Sequence, residues 1–291
     1  MGQCYSCGRA IEDAAAYSRI QVGAEVFLIC CPMCMTASEA GHVQRRMISN
    51  SFSNEHASVF VGYQPALHVG GDYVCVRAVD NGRLYAVVAD ISGHGVTSSI
   101  VMSRLSGEIE ALIGATSDLP EIAVTLNRSV RALAGEQHMF LTFFGAILDF
   151  RTGQLEYVNC GHPGQLLWSK TGIGCSRLES NGIPVGLFGP ERFGTPTTRT
   201  TALAQGDKLV LFTDGVLDLE NEGAPLEEVG LMRALRDVVE SPLPGAAERA
   251  FGDLKALQGK SDDDLLLVVI DVKELAPGPV KSSERQLLRP S

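Results

Sequence analysis

Two groups of residues in this chain have types and spacings suited to chemistry. The first is a set of aspartates, each beside a glycine or at the tip of an apolar run: Asp72 in Gly70-Gly71-Asp72-Tyr73, Asp90 in Ala89-Asp90-Ile91-Ser92-Gly93-His94-Gly95, Asp214 in Phe212-Thr213-Asp214-Gly215, and Asp263 in Asp262-Asp263-Asp264. Carboxylate oxygens are the ligands that hard cations such as Mg²⁺ and Mn²⁺ prefer. Two such ions roughly 3.5–4 Å apart activate a water and neutralise a phosphoryl group. A single Asp-Gly pair is ordinarily a turn; several carboxylates at strand tips, exposed yet held by a rigid sheet, read as a binuclear metal site. The second group is a pair of C-x-x-C motifs, Cys4-Tyr5-Ser6-Cys7 and Cys31-Pro32-Met33-Cys34, whose thiolates suit one tetrahedral structural Zn²⁺. Cys30 competes with Cys31, but only Cys31 gives the second two-residue spacing. In a reducing compartment such clustering points to metal, with a redox disulfide switch as the other reading. Cys75, Cys160 and Cys175 lie far apart and read as small buried side chains.

These residues need elements to hold them. Strand signals cover Tyr73–Val79, Leu84–Asp90, Leu141–Asp149, Leu155–Asn159, Gln165–Ser169, Lys208–Thr213 and Leu265–Val272. Arg151-Thr152-Gly153 reads as a hairpin turn. A helix follows Gly95, with Val96, Ile100, Val101, Leu105, Ile109, Leu112 and Ile113 forming one buried stripe at helical spacing. A second runs from Glu121 to Ala134, with Ile122, Leu126, Val130 and Leu133 on one face and Pro120 in its first turn. Leu226–Glu240 and Gly245–Gln258 also read as helical. Antiparallel strand runs interrupted by helix pairs describe an α+β layered domain. Ahead of it, Phe27-Leu28-Ile29 reads as a strand entering the second cysteine pair. Met35–Met47 reads as a connecting helix, with Val43, Met47 and Ile48 available to pack on the domain. The expected division is 1–48 for a zinc-binding module and its helix, 49–275 for the main domain, and 276–291 for a disordered tail rich in Pro, Ser and charge.

Composition narrows the partners. The 291 residues carry 24 basic and 34 acidic side chains, net −10, with no basic run, which argues against nucleic acid. No apolar stretch approaches the ~20 residues of a membrane span, and the N-terminus lacks a signal-peptide core, so the expected location is the cytoplasm. A two-metal nuclease would also use clustered aspartates, and the same acidic balance counts against it.

The motifs in their order resemble one family, the PPM-type metal-dependent serine/threonine protein phosphatases, specifically the SpoIIE-like branch. The carriers are Tyr63-Gln64-Pro65-Ala66-Leu67-His68-Val69-Gly70-Gly71-Asp72-Tyr73, Asp90–Gly95, Tyr157-Val158-Asn159-Cys160-Gly161-His162-Pro163, Gly182-Ile183-Pro184-Val185-Gly186-Leu187, Leu211–Gly215, and Asp263-Asp264-Leu265-Leu266-Leu267-Val268-Val269. The resemblance implies an α-β-β-α sandwich of two antiparallel sheets flanked by helix pairs, with the N-terminal finger of treble-clef or zinc-ribbon type added to it. It implies that Asp72, Asp90, Asp214 and Asp263 hold two Mn²⁺ or Mg²⁺ ions, with the carbonyl of Ile91 as an extra oxygen; a register shifted to Asp262 is the alternative to Asp263. The implied reaction is direct attack of activated water on phosphoserine or phosphothreonine, without a phosphoenzyme. The implied substrate is a bacterial signalling phosphoprotein of the anti-sigma-antagonist kind, and a homodimer is left open. The family usually has a Thr or small residue where Leu266 stands. His94 reads as supporting the turn or donating a proton, and His162 as a structural hydrogen-bonding residue. The other functional reading is an inactive phosphatase-fold scaffold, or a metal-sensing regulator that binds partners.

Overall fold

The computed structural model describes residues 40–275 except 42, 67–68, 81, 94, 135–137, 171–173, 222–223, 244 and 258–262, together with parts of the preceding segment. Within that earlier segment Gly2–Gln3 pairs antiparallel with Ala10–Ile11, and Ser18–Val22 with Glu25–Ile29. The second hairpin contains the strand expected at Phe27–Ile29. Cys4, Cys7, Cys30, Cys31 and Cys34, with the zinc they were expected to hold, lie outside the described residues, as do His94, Asp262 and the tail 276–291.

Among the described residues the two large sheets of the main domain have eleven strands: β1 (Phe52–Ser53), β2 (Ala57–Gln64), β3 (Asp72–Asp80), β4 (Arg83–Ile91), β5 (Leu141–Asp149), β6 (Gln154–Cys160), β7 (Gln165–Trp168), β8 (Cys175–Leu178), β9 (Arg199–Ala202), β10 (Lys208–Phe212) and β11 (Leu265–Val272). They form two antiparallel sheets, one in the order β9-β6-β5-β4-β3 and the other in the order β8-β7-β10-β11-β2-β1. The principal helices are α1 (Val96–Ala115), α2 (Leu119–Ala134), α3 (Glu227–Ala234), α4 (Arg236–Glu240) and α5 (Gly245–Leu257).

The unbroken apolar run of β11 explains the layering. Leu266, Val268 and Ile270 join a core shared with the five-stranded sheet, while Leu265, Leu267 and Val269 join a second core with Leu231, Val238 and Leu254 of the C-terminal helices. A strand buried on both faces has no polar alternation to show. On the other side Ile109 and Ile113 of α1, with Ile122, Leu126 and Val130 of α2, close the first core. Each such side chain contributes at most about 1.5–3 kcal/mol of transfer energy.

Several expectations are corrected here. Val96 and Ile100 are 60% and 64% exposed, so the buried apolar stripe of α1 begins only at Met102. Its inner face carries Ser98 and Ser99, and small residues let a helix lie close to the sheet without apolar bulk. Leu133 is exposed at the end of α2, and Val43 is exposed while Ile48 enters the core. The single helix read over Leu226–Glu240 is two, broken at Leu235.

Candidate functional site

The aspartates gather at one rim because each sheet offers two adjacent antiparallel strands with carboxylates at neighbouring ends. In the five-stranded sheet Asp72 opens β3, Asp90 lies near the end of β4, and the two are direct cross-strand partners. In the six-stranded sheet Phe212, at the end of β10, pairs with Leu267. That register brings Asp214, two residues past β10, beside Asp263 and Asp264 just ahead of β11. The structure therefore brings Asp72, Asp90, Asp214 and Asp263 to one place.

Asp214 has the exposed setting expected of it, Asp90 and Asp263 are half-buried, and Asp72 departs from the expectation. Asp72 is only 2% exposed, and Thr213 Oγ1 donates to its Oδ2 at 2.7 Å, tying one sheet to the other. Burial, then the neighbouring Asp90 and Asp264, push the Asp72 carboxyl well above the usual carboxylate range. Burial, then Asp214 and Asp263, push Asp90 up to about 7. Partial desolvation and Asp263 raise Asp214 as well. Among the described residues no Lys or Arg forms an ion pair with Asp72, Asp90 or Asp214.

Sequence reasoning did not separate Asp264 from its neighbours, and its role is different. Its side chain is buried and accepts the N–H groups of Ala66 at 2.9 Å, Gly71 at 2.7 Å and Asp72 at 3.3 Å. A carboxylate occupied by three backbone donors anchors a loop. Asp263, one residue earlier, accepts the Asp264 N–H at 2.8 Å and is half-buried. The distinction follows from β11, since Leu265 pairs with Gln64 and so sets which aspartate turns inward.

His162 is buried between the sheets. Its Nε2–H donates to the Phe212 carbonyl at 3.1 Å, leaving Nδ1 to accept from Thr142 Oγ1 at 2.8 Å. Burial lowers its pKa to about 4, so it is neutral at physiological pH. Gln165 grips the same residue, donating to Phe212 O at 3.1 Å and accepting its N–H at 2.7 Å. Together they fix the end of β10, and with it the approach to Asp214. Tyr63 hydroxyl also faces the rim, buried and with no hydrogen-bond partner among the described residues.

The donor set suits a hard divalent ion. All its atoms are oxygens, and their mutual repulsion falls when a cation sits among them. A Cβ at Gly71 would stand 3.1 Å from the Ile91 carbonyl oxygen and 3.3 Å from Asp90 Oδ1, so this glycine keeps open the space facing both. Among the described residues no three His, Cys, Asp or Glu side chains converge tightly enough to chelate one ion by themselves. An ion here would take one or two carboxylates and complete its shell with water and backbone oxygen, as Mg²⁺ commonly does.

Comparison with known proteins adds lineage to this geometry. Residues 80–273 match the model of the stage II sporulation protein E (SpoIIE) family, most of the domain just described. The chain belongs to the SpoIIE family. Among curated SpoIIE relatives, the phosphoserine phosphatase RsbP of Bacillus subtilis is 25% identical over 240 residues, covering 80% of this chain and 57% of RsbP. The phosphoserine phosphatase RsbU of the same organism is 25% identical over 236 residues, covering 79% of this chain and 68% of RsbU. This chain thus spans a little over half the length of RsbP. Among solved structures, the SiaA-PP2C domain of Pseudomonas aeruginosa superposes with a TM-score of 0.70 at 23% identity, covering 83% of this chain and 97% of that one. The fold is the PP2C-like α+β sandwich, as the resemblance of the motifs implied. Among the described residues no helix is long and apolar enough to cross a membrane.

Proposed function

We propose that this chain is a serine/threonine phosphoprotein phosphatase dependent on Mn²⁺ or Mg²⁺, with Asp72, Asp90, Asp214 and Asp263 and the carbonyl of Ile91 as the metal ligands. The observation that carries this reading is the cross-strand pair Asp72–Asp90, the first buried and the second half-buried, with the exposed Asp214 close by and no Lys or Arg paired to any of them among the described residues. Two like charges placed on facing strands are destabilising, and a divalent cation removes the conflict. Bound there, such an ion supplies Lewis acidity, lowering the pKa of a water and neutralising phosphoryl charge.

The chain's own groups do the positioning. Thr213 fixes one oxygen of Asp72. Asp264 holds the loop that leads into Asp72. His162, buried and neutral with both ring nitrogens occupied, orients the β10 end and does not serve as a proton donor. The substrate is read as phosphoserine or phosphothreonine in a bacterial signalling protein of the anti-sigma-antagonist kind, on the strength of the phosphoserine phosphatase names borne by RsbP and RsbU. In the same proposal Cys4, Cys7, Cys31 and Cys34 hold one structural Zn²⁺ in a module over 1–48, ahead of a phosphatase domain over 49–275. Elemental analysis giving no zinc in the purified protein would remove that part.

The test is hydrolysis of a phosphoserine peptide by the purified chain with Mn²⁺, Mg²⁺ or excess chelator. Turnover with either ion and none in chelator is expected. Undiminished turnover in chelator would sink the mechanism, and none under any condition would favour the scaffold reading.

A further inference from the structure

Gln44 lies outside the domain bounds read from the sequence, yet it is buried and makes a two-way contact. Its Nε2–H donates to the Gly70 carbonyl at 2.6 Å, and the Gly70 N–H donates to its Oε1 at 2.9 Å. The side-chain amide thus pairs with Gly70 as a neighbouring strand residue would. Glutamine suits the task because one planar group supplies both donor and acceptor; glutamate lacks the donor and methionine lacks both.

The segment bearing Gln44 is itself fixed. β3 is an edge strand, and Ser49 runs along that edge, its N–H donating to Val74 O at 3.3 Å and its Oγ accepting the Val76 N–H at 2.8 Å. Ile48 inserts into the core beside it. Gly70 is held as tightly from the other side, where a Cβ would collide with the Asp264 carboxylate and the Tyr63 hydroxyl. Asp264 in turn binds the N–H groups of Gly71 and Asp72. The loop entering Asp72 is therefore gripped from two directions, by a carboxylate from the last strand and by an amide from the segment preceding the first.

We propose that Gln44 is a positioning residue for Asp72: it holds Gly70 so that the loop presents the carboxylate in its ion-binding position. This rests on the reading of Asp72 as a metal ligand. A contact serving only to stabilise the fold would change melting and leave metal affinity alone. A positioning contact changes affinity, and added metal recovers the loss.

The experiment uses the full chain and Mn²⁺ itself as probe. Wild type and Gln44→Met are compared by titration calorimetry with Mn²⁺, by the Mn²⁺ dependence of phosphopeptide turnover, and by deuterium exchange of metal-free peptides spanning 65–72. Losing two buried hydrogen bonds predicts about a tenfold weaker Mn²⁺ affinity, most of the rate recovered at high Mn²⁺, and faster exchange confined to that loop. If Gln44→Met does not fold, Gln44→Asn, which keeps the amide but falls one methylene short, is read in the same way. Wild-type affinity and wild-type exchange in a folded variant, or a lowered melting temperature alone, overturns the proposal. Wild type that binds no Mn²⁺ overturns the metal reading itself and carries this one with it. Wild type that binds while Gln44→Met binds equally overturns only this one.

Discussion

The two ends of the β10–β11 ladder treat charge in opposite ways. At one end Lys208 and Asp271 are cross-strand partners, Nζ to Oδ2 2.8 Å, and Lys208 is buried. A cavity of about 430 Å³ lined by Trp168, Lys170 and Glu240 lies beside them. At the other end Asp214, Asp263 and Asp264 meet Asp72 and Asp90 across the sheets, and their charges help raise the pKa values of Asp72 and Asp90. The same two strands thus neutralise a buried charge internally where only packing is involved, and gather like charges where a cation from outside would complete the structure. The contrast supports the proposal that the acidic rim is a metal site.

The contrast is open to several tests. The largest effect is expected from Asp72→Asn or Asp90→Asn, which should lower turnover on the order of a hundredfold or more. The metal-free variants should melt above metal-free wild type, since one like charge has gone. A metal-free variant that melts lower would mean the rim is already compensated, and the contrast would collapse. Lys208→Met should cost about 3–5 kcal/mol in denaturant unfolding by stranding Asp271, and adding Asp271→Leu should recover most of it. A double variant no better than the single would show that the pair matters for more than charge.

Acid provides the next test. His162 titrates near 4 when folded, against 6.5 unfolded, so the unfolded chain binds the extra proton in that window. Its contribution is complete above pH 6.5 and is lost progressively as pH falls to 4, about 3 kcal/mol in all. The raised carboxylates slope the other way, because the metal-free fold binds their protons. The pH series should therefore be taken as wild type minus His162→Gln, and a flat difference would contradict a neutral buried imidazole. The smallest effect concerns the ion: with Asp90 titrating at about 7, protons compete for the site. Mn²⁺ affinity should weaken as pH falls below that value, by up to about tenfold per unit. Affinity constant from pH 8 to pH 6 would remove Asp90 from the ligand set.

What could be read from the chain follows the physics of each element. Strands β3, β4, β5, β10 and β11 were legible because their apolar runs have strand length and end at glycine or aspartate. β8 and β9 were not, being four-residue edge strands with mostly outward polar side chains. The serine face of α1 misled the stripe, since periodicity counts apolar residues and Ser98 and Ser99 are buried without being apolar. Asp72, Asp90 and Asp214 were singled out by their position at strand tips. Asp264 could not be told from Asp263 until the pairing of Leu265 with Gln64 fixed the register. Gln44 and Thr213 carry no local signal at all; their partners lie 26 and 141 residues away.

The place of β11 has a consequence for how the molecule is made. Among the described residues it is the last strand, yet it lies in the middle of its sheet, between β10 and β2. Until residues 265–272 leave the ribosome, β2 and β10 have no shared neighbour, and closing so long a loop is slow. Asp263 and Asp264 arrive with that strand, so the rim is assembled by the same event that closes the sheet. A nascent or prematurely terminated chain carries Asp72, Asp90 and Asp214 without the strand that completes the rim.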